Sequence, residues 1–156
     1  MFASSAVSPL NRPVPDFSLP DHNGKVFNLQ AVMGTKGVLI GFLGDIWRPV
    51  SVHRIFGLQR AAKKFNVLGW QIALIIRDQP ATLRHFHFSS PMPVPFPLLA
   101  DTDGKSHNAY TIERPCLLLV DHGGVLRARW QMPPDTVLPA TDVILDAMHA
   151  ENGDWP

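Results

Sequence analysis

The sequence predicts an α/β domain built on one mixed β-sheet flanked by helices. A continuous apolar run at residues 37–44 has the composition of a strand buried on both faces, and residues 70–78 are typical of a second buried strand. An amphipathic helix pattern lies between them, and the order strand, helix, strand predicts a parallel pair with a crossover helix. A hairpin pattern over residues 116–132 adds antiparallel strands to the same sheet.

Length and composition are those of one globular domain. The chain has 156 residues, of which 46% are hydrophobic and 17% charged. A formal charge of +1 without clustered basic residues argues against nucleic-acid binding. No apolar run reaches the ~18 residues that a membrane helix needs, and no signal-peptide pattern opens the chain. With Cys116 as its single cysteine, the protein is expected in the reducing cytoplasm.

The first half of the predicted domain runs from an opening hairpin to a long helix. Residues 1–12 are expected to form an N-terminal arm, 13–150 the domain and 151–156 a tail. A DHNG turn joins two short extended segments before the strand at 37–44. Pro49 suits the first turn of a helix, where its missing N–H costs nothing, and apolar residues at three- and four-residue steps continue that helix to about residue 66.

The second half alternates short helices with proline-rich connections. Pro80 opens a helix after the strand at 70–78, and the proline-rich segment 91–101 predicts an extended connection, because residues before proline avoid helical angles. A turn and a short helix follow over 101–112. Thr141 is expected to cap the final helix, which has an acidic first turn.

Four segments in this order resemble the thioredoxin-fold redoxins, and most closely the peroxiredoxin or AhpC/TSA branch. They are VPDFSLPDHNGKVFNL, GVLIGFLGDIWRPVS, FPLLADTDGKSHNAYTI and RPCLLLVDHGGVLRARW. The resemblance covers about residues 13–150. It implies a thioredoxin-like fold, a cis-proline at Pro115 facing the active site, and a homodimer.

The resemblance fails at the residues that carry the family's chemistry. In redoxins of this type the turn reads W-C-x-x-C, and aligning Trp47 places Arg48 and Ser51 at the two cysteine positions. Ser51 also stands where the peroxidatic cysteine is expected. A thiol near pKa 8.5 becomes a thiolate when a helix N-terminus lowers its pKa, whereas a serine hydroxyl does not, and oxygen forms no sulfenic acid. The sequence therefore predicts a pseudoenzyme without peroxidatic or dithiol chemistry at this turn.

Cys116 keeps an enzymatic alternative open. It follows Pro115 at the start of a strand, where a free cysteine is typically a small buried hydrophobe. It could instead be a lone reactive thiol whose thiolate is stabilised by Arg48 and Arg114, which would make the protein a peroxidase or thiol oxidoreductase. A serine hydrolase is disfavoured because no base is placed beside Ser51. A redoxin fold adapted to non-redox small-molecule catalysis is the third alternative.

The leading prediction is a binding or regulatory protein that uses the former active-site face. Arg48 lies at the unfavourable end of the helix dipole, so it either extends into solvent or forms a site for a small anion or an acidic partner protein. No cofactor or metal is expected, since His85 and His87 would point to different sides of a helix and no cysteine or carboxylate cluster accompanies them. The predicted binding residues are Trp47, Arg48, Pro49, Ser51, Arg114 and Pro115.

Overall fold

The computed structural model describes residues 10–153, so residues 1–9 of the predicted arm and 154–156 of the predicted tail lie outside the described part. Within this range the strands are β1 (Ser18–Pro20), β2 (Val26–Asn28), β3 (Gly37–Gly44), β4 (Trp70–Ile76), β5 (Leu98–Ala100), β6 (Cys116–Asp121) and β7 (Leu126–Gln131). The α-helices are α1 (Pro49–Val67), α2 (Pro80–Ser89), α3 (Lys105–Ala109) and α4 (Thr141–Asn152).

The predicted mixed sheet is confirmed, with strand order β5-β4-β3-β6-β7. β3 pairs in parallel with β4, and β4 in parallel with β5, whereas β6 runs antiparallel to both β3 and β7. β1 and β2 form a separate hairpin. The carboxyl ends of β3, β4 and β5 therefore meet the first residue of β6 at one edge, which we call the carboxyl edge of the sheet.

Side chains alternate along β3 and divide the core into two layers. Leu39 and Leu43 face the layer that holds α1, α2 and α4. Ile40 and Phe42 face the opposite layer, which α3 and the β1–β2 hairpin cover through residues such as Tyr110. Helical segments thus cover both faces of the sheet, as predicted. None of the helices within residues 10–153 combines the length and apolarity required to cross a lipid bilayer.

The predicted cis-proline is wrong. The peptide bond before Pro115 is trans, as is every other peptide bond in the described residues. The trans form is intrinsically favoured by roughly 0.5–1 kcal/mol, and here it feeds directly into β6. The Pro115 carbonyl accepts a hydrogen bond from the Met132 N–H at 2.9 Å, which extends the β6–β7 ladder past its first residue.

Two further details differ from the prediction. Ala140 is the N-cap of α4, since the N–H groups of Val143 and Ile144 donate to its carbonyl, and Thr141 is already helical and makes no side-chain cap. The connection predicted as extended over 91–101 contains β5, whose pairing with β4 was not visible in the sequence.

A buried arginine fixes the loop between β7 and α4 to helix α1. Arg54 is only 1% exposed. Its Nε donates to the carbonyl of Val137 at 2.8 Å. Its Nη2 donates to the carbonyls of Met132, Pro133 and Thr136 at 3.3, 3.0 and 2.6 Å. These backbone acceptors stabilise a cation that has no carboxylate within ion-pair distance among residues 10–153.

Candidate functional site

The turn between β3 and α1 is held by two carboxylates. Asp45 Oδ1 accepts from the Trp47 N–H at 2.9 Å, and Asp78 Oδ2, beyond the end of β4, accepts from the Ile46 N–H at 2.8 Å. Burial and the nearby Asp45 carboxylate raise the pKa of Asp78 despite the hydrogen bond from Ile46. The turn is thereby attached to the neighbouring strand, which fixes the direction in which α1 begins.

The start of α1 offers few free backbone donors. Arg48 is the N-cap, and Pro49 has no N–H to contribute. The N–H groups of Ser51 and Val52 both donate to the Arg48 carbonyl, at 2.9 and 3.2 Å. An anion at this end of the helix would therefore depend mainly on side chains, and Arg48 is the exposed cation there.

Ser51 lies beside a small cavity of about 50 Å³. Ser51 is 1% exposed, and its Oγ has no hydrogen-bond partner among residues 10–153. Arg48, Arg54 and Pro115 also line this cavity. No histidine of the described residues does so, and a base that could activate the Ser51 hydroxyl is therefore missing from its walls.

A larger cavity, of about 270 Å³, opens at the carboxyl edge of the sheet, and we call it the arginine cavity. Arg48 reaches it from the turn after β3, Arg77 from the end of β4, and Arg114 from the residue before Pro115. Within residues 10–153 none of these three guanidinium groups has a hydrogen bond or an ion pair. Asp45 and Glu113 line the same cavity.

Sequence reasoning found Arg48 and Arg114 and missed Arg77. The whole of helix α1 separates Arg77 from the predicted turn, and only the parallel pairing of β3 with β4 brings the two together. A signal was present, because Arg77 directly follows a buried strand, and ligands of open α/β sheets bind beyond the carboxyl ends of such strands.

His107 lies within the predicted short helix, α3, where it is buried and also lines the arginine cavity. It is 5% exposed, and its Nδ1 lies 2.6 Å from Oδ2 of the fully buried Asp101. Asp101 also accepts from the backbone N–H groups of Ser106 and His107, at 3.0 and 2.8 Å. His107 Nε2 is buried and has no hydrogen-bond partner in the part of the chain that the structure describes.

The protonation states of this pair follow from burial and hydrogen bonding. Burial alone would raise the pKa of Asp101, but its hydrogen bonds from His107 and Ser106 outweigh burial and lower that pKa. Burial lowers the pKa of His107, and Arg77 adds to this effect, against the opposing influence of Asp101. At neutral pH Asp101 is therefore a carboxylate, and His107 is a neutral imidazole that carries its proton on Nδ1.

The six predicted binding residues divide among three places. Arg48 and Pro115 line both cavities, Arg114 the arginine cavity and Ser51 the small one. Trp47 is 47% exposed and lines neither of them. Its ring instead packs against His85 and Phe86 of α2, with centroids 5.7 and 5.6 Å away. The exposed Pro49 likewise lines neither cavity.

Cys116 lies in the sheet core. It is 1% exposed, pairs with Phe42 across β3 and β6, and lines neither cavity. Burial raises the pKa of its thiol to about 12, against a smaller opposing effect of Arg129. The described residues contain no cluster of three His, Cys, Asp or Glu side chains that could hold a metal ion.

Comparisons with known proteins give the same fold. Peroxidoxin BcpB of Mycobacterium tuberculosis superposes with a TM-score of 0.78 at 16% identity, over 94% of this chain and 98% of that one. A thiol peroxidase of Chromobacterium violaceum gives 0.79 at 15% identity, over 96% and 90% of the two chains. A yeast mitochondrial 1-Cys peroxiredoxin gives 0.76 at 12% identity, over 94% and 78%.

Sequence comparison identifies the family. No curated protein sequence matches the chain significantly. The family model that does match, over residues 10–135, is that of the AhpC/TSA family. This match spans the β1–β2 hairpin, the five-stranded sheet and the turn that carries Arg48 and Ser51. The chain therefore belongs to the AhpC/TSA family of thioredoxin-like redoxins.

Proposed function

We propose that this protein is a non-thiol member of its family that binds a small organic or inorganic anion in the arginine cavity. The observation that carries the proposal is the convergence of Arg48, Arg77 and Arg114 on one cavity, where none of the three forms an ion pair with a carboxylate of residues 10–153. Like charges gathered in this way repel one another, and an oxyanion relieves the repulsion through short, charge-assisted hydrogen bonds.

The size and charge of the cavity favour a small ligand. About 270 Å³ lies just below the ~300–1,000 Å³ typical of ligand pockets. Asp45 and Glu113 offset part of the positive charge, which favours an anion of one or two charges over a polyanion. A carboxylate or phosphate has the planar or tetrahedral oxygens that guanidinium groups bind. An acidic side chain of a partner protein is the other occupant with this chemistry.

The burial of the Cys116 thiol and its raised pKa favour a ligand-binding function over thiol catalysis. A thiol that attacks peroxide or disulfide has to ionise and be reached by its substrate. Cys116 is enclosed in the core with its pKa raised to about 12, so a peroxidase acting through it would first have to open the sheet. Ser51, at the helix position where the resemblance expects the reactive cysteine, carries a hydroxyl.

Isothermal titration calorimetry with succinate and inorganic phosphate tests the proposal. We expect at least one of them to bind, and both Arg77→Met and Arg114→Met to weaken that binding about tenfold, since a charge-assisted hydrogen bond contributes about 1.5–3 kcal/mol. Arg60→Met is the matched control, because Arg60 is an exposed arginine of α1 that does not line the arginine cavity. Failure to bind succinate, inorganic phosphate and the hydroxylated analogue malate, or equal affinity in all three variants, would contradict the proposal.

A further inference from the structure

His107 lines the arginine cavity, and its ring carries a buried nitrogen without a hydrogen-bond partner among the described residues. Nε2 is buried and bonded to nothing in the described residues, although His107 lines a cavity that is open to ligands. An unsatisfied buried polar atom costs about 1–3 kcal/mol, and native proteins almost always provide a partner for it. A bound molecule is therefore the natural source of that partner.

The hydrogen bond between His107 Nδ1 and Asp101 determines whether the partner of Nε2 has to be a donor or an acceptor. Asp101 is fully buried and ionised, and its Oδ2 accepts a hydrogen bond from Nδ1–H of His107, with 2.6 Å between the nitrogen and the oxygen. The backbone N–H groups of Ser106 and His107 hold the same carboxylate in place. The ring is consequently fixed as the tautomer whose Nε2 carries a lone pair, so Nε2 accepts and does not donate.

The charge of the cavity restricts the donor further. An ammonium group could donate to Nε2, but Arg48, Arg77 and Arg114 would repel it. A hydroxyl group is a neutral donor and meets no such repulsion. A carboxylate beside that hydroxyl would engage the arginines, and this combination is the chemistry of a hydroxycarboxylic acid.

Arg77 has a hydrogen-bonded backbone and an exposed side chain in the wall of the arginine cavity. Its backbone N–H donates to the Gly44 carbonyl at 2.8 Å, whereas its side chain is exposed. Its guanidinium lies so close to Gly104, at the start of α3, that a Cβ on Gly104 would clash with it. Arg77 is therefore a cation of the cavity wall placed beside the helix that carries His107.

We infer that the ligand of the arginine cavity is a small hydroxycarboxylate, whose carboxylate binds the arginines and whose hydroxyl donates to His107 Nε2. The inference rests on the proposed anion-binding function and names its substrate class. His107 is a specificity-determining residue in this arrangement, and Asp101 is the positioning residue that fixes its tautomer.

Calorimetry with malate and succinate, which differ by one hydroxyl, tests the inference. We expect the wild-type protein to bind malate about tenfold more tightly than succinate, the discrimination expected when a buried polar group is satisfied by one ligand and not by the other. His107→Phe keeps a ring beside Phe42 and should reduce the preference for malate to less than about twofold. His107→Gln, whose amide oxygen accepts hydrogen bonds, should keep part of the preference.

The outcomes separate the two proposals. Equal binding of malate and succinate by the wild type, or a preference that persists in His107→Phe, overturns the hydroxycarboxylate inference and leaves anion binding intact. Failure of the wild type to bind malate, succinate or inorganic phosphate overturns both. If His107→Phe does not fold, ¹⁵N NMR of the wild-type imidazole decides: the Nε2 resonance should shift with malate and not with succinate, and an equal response to both overturns the inference.

Discussion

Burial controls the chemistry of Cys116 more strongly than the charges around it. Burial raises the pKa of the thiol to about 12, so the sulfur is protonated at neutral pH. The surrounding side chains on that face of the sheet, such as Phe42 and Leu118, belong to the second core layer and exclude a reagent from the sulfur. Arg48 and Arg114, which the sequence suggested as thiolate partners, line the arginine cavity instead.

Cys116 should accordingly be inert in the folded protein. We expect Ellman's reagent to label it only after unfolding in concentrated guanidinium chloride, because the native sulfur is both covered and protonated. In a peroxide-consumption assay with thioredoxin or glutathione as reductant, the wild type and Cys116→Ala should not differ. Rapid labelling of the native protein, or peroxide turnover that Cys116→Ala abolishes, would revive the peroxidase alternative.

At the scale of elements, the backbone at the start of α3 leaves the space that the Arg77 side chain occupies beside the arginine cavity. Gly104, its N-cap, has a φ of +75°, and a Cβ there would lie 2.5 Å from Nη2 of Arg77. Gly24, in the β1–β2 turn, has a similar φ of +82° with open space around the position of a Cβ. The two glycines therefore share a backbone conformation and differ in what a side chain would meet.

Alanine at these two positions should separate stability from binding. Gly104→Ala and Gly24→Ala should each lower the free energy of unfolding by about 1–2 kcal/mol, the cost of a left-handed conformation for an L-residue. Only Gly104→Ala should also weaken succinate or phosphate binding, because it displaces Arg77 from its place at the cavity. Urea denaturation and calorimetry measure the two effects, and equal anion affinity in both variants would exclude this role of Arg77.

Elements with a strong local pattern were predictable from the sequence, and the assembled site was predictable only in part. β3 and the start of α1 were predicted correctly, because a continuous apolar run and Pro49 define them locally. β5 was missed, since its three residues depend on pairing with β4 within a proline-rich segment. Arg77 and His107 were missed for the same reason: strand order and the packing of α3 bring them to the cavity, and neither is encoded in short-range spacing.

At the scale of the whole molecule, the buried His107–Asp101 pair couples folding to pH. The pKa of His107 is lowered below its unfolded value, so the unfolded chain binds a proton below about pH 6.5 while the native protein still does not. Acidification therefore favours unfolding. Asp101, whose pKa is also lowered, contributes stability above about pH 3.9 that is lost as the pH falls through its native pKa. Both groups act in the same direction.

The free energy of unfolding should consequently fall between about pH 7 and pH 5 in the wild type, and should fall less in His107→Gln. His22, whose pKa burial and the neighbouring His87 also lower, contributes in the same range and remains in both proteins. The difference between the two curves therefore isolates His107. Urea denaturation at a series of pH values measures it, and parallel curves would show that His107 titrates alike in the folded and unfolded chains.

The carbonyls around Arg54 neutralise none of its formal charge, since they are dipoles and not ions. Guanidinium stays protonated across the physiological range, and the region under the first turn of α1 is thus permanently electropositive. Arg48 increases this potential at the cavity beside Ser51. The framework consequently maintains a positive electrostatic potential around the Ser51 hydroxyl.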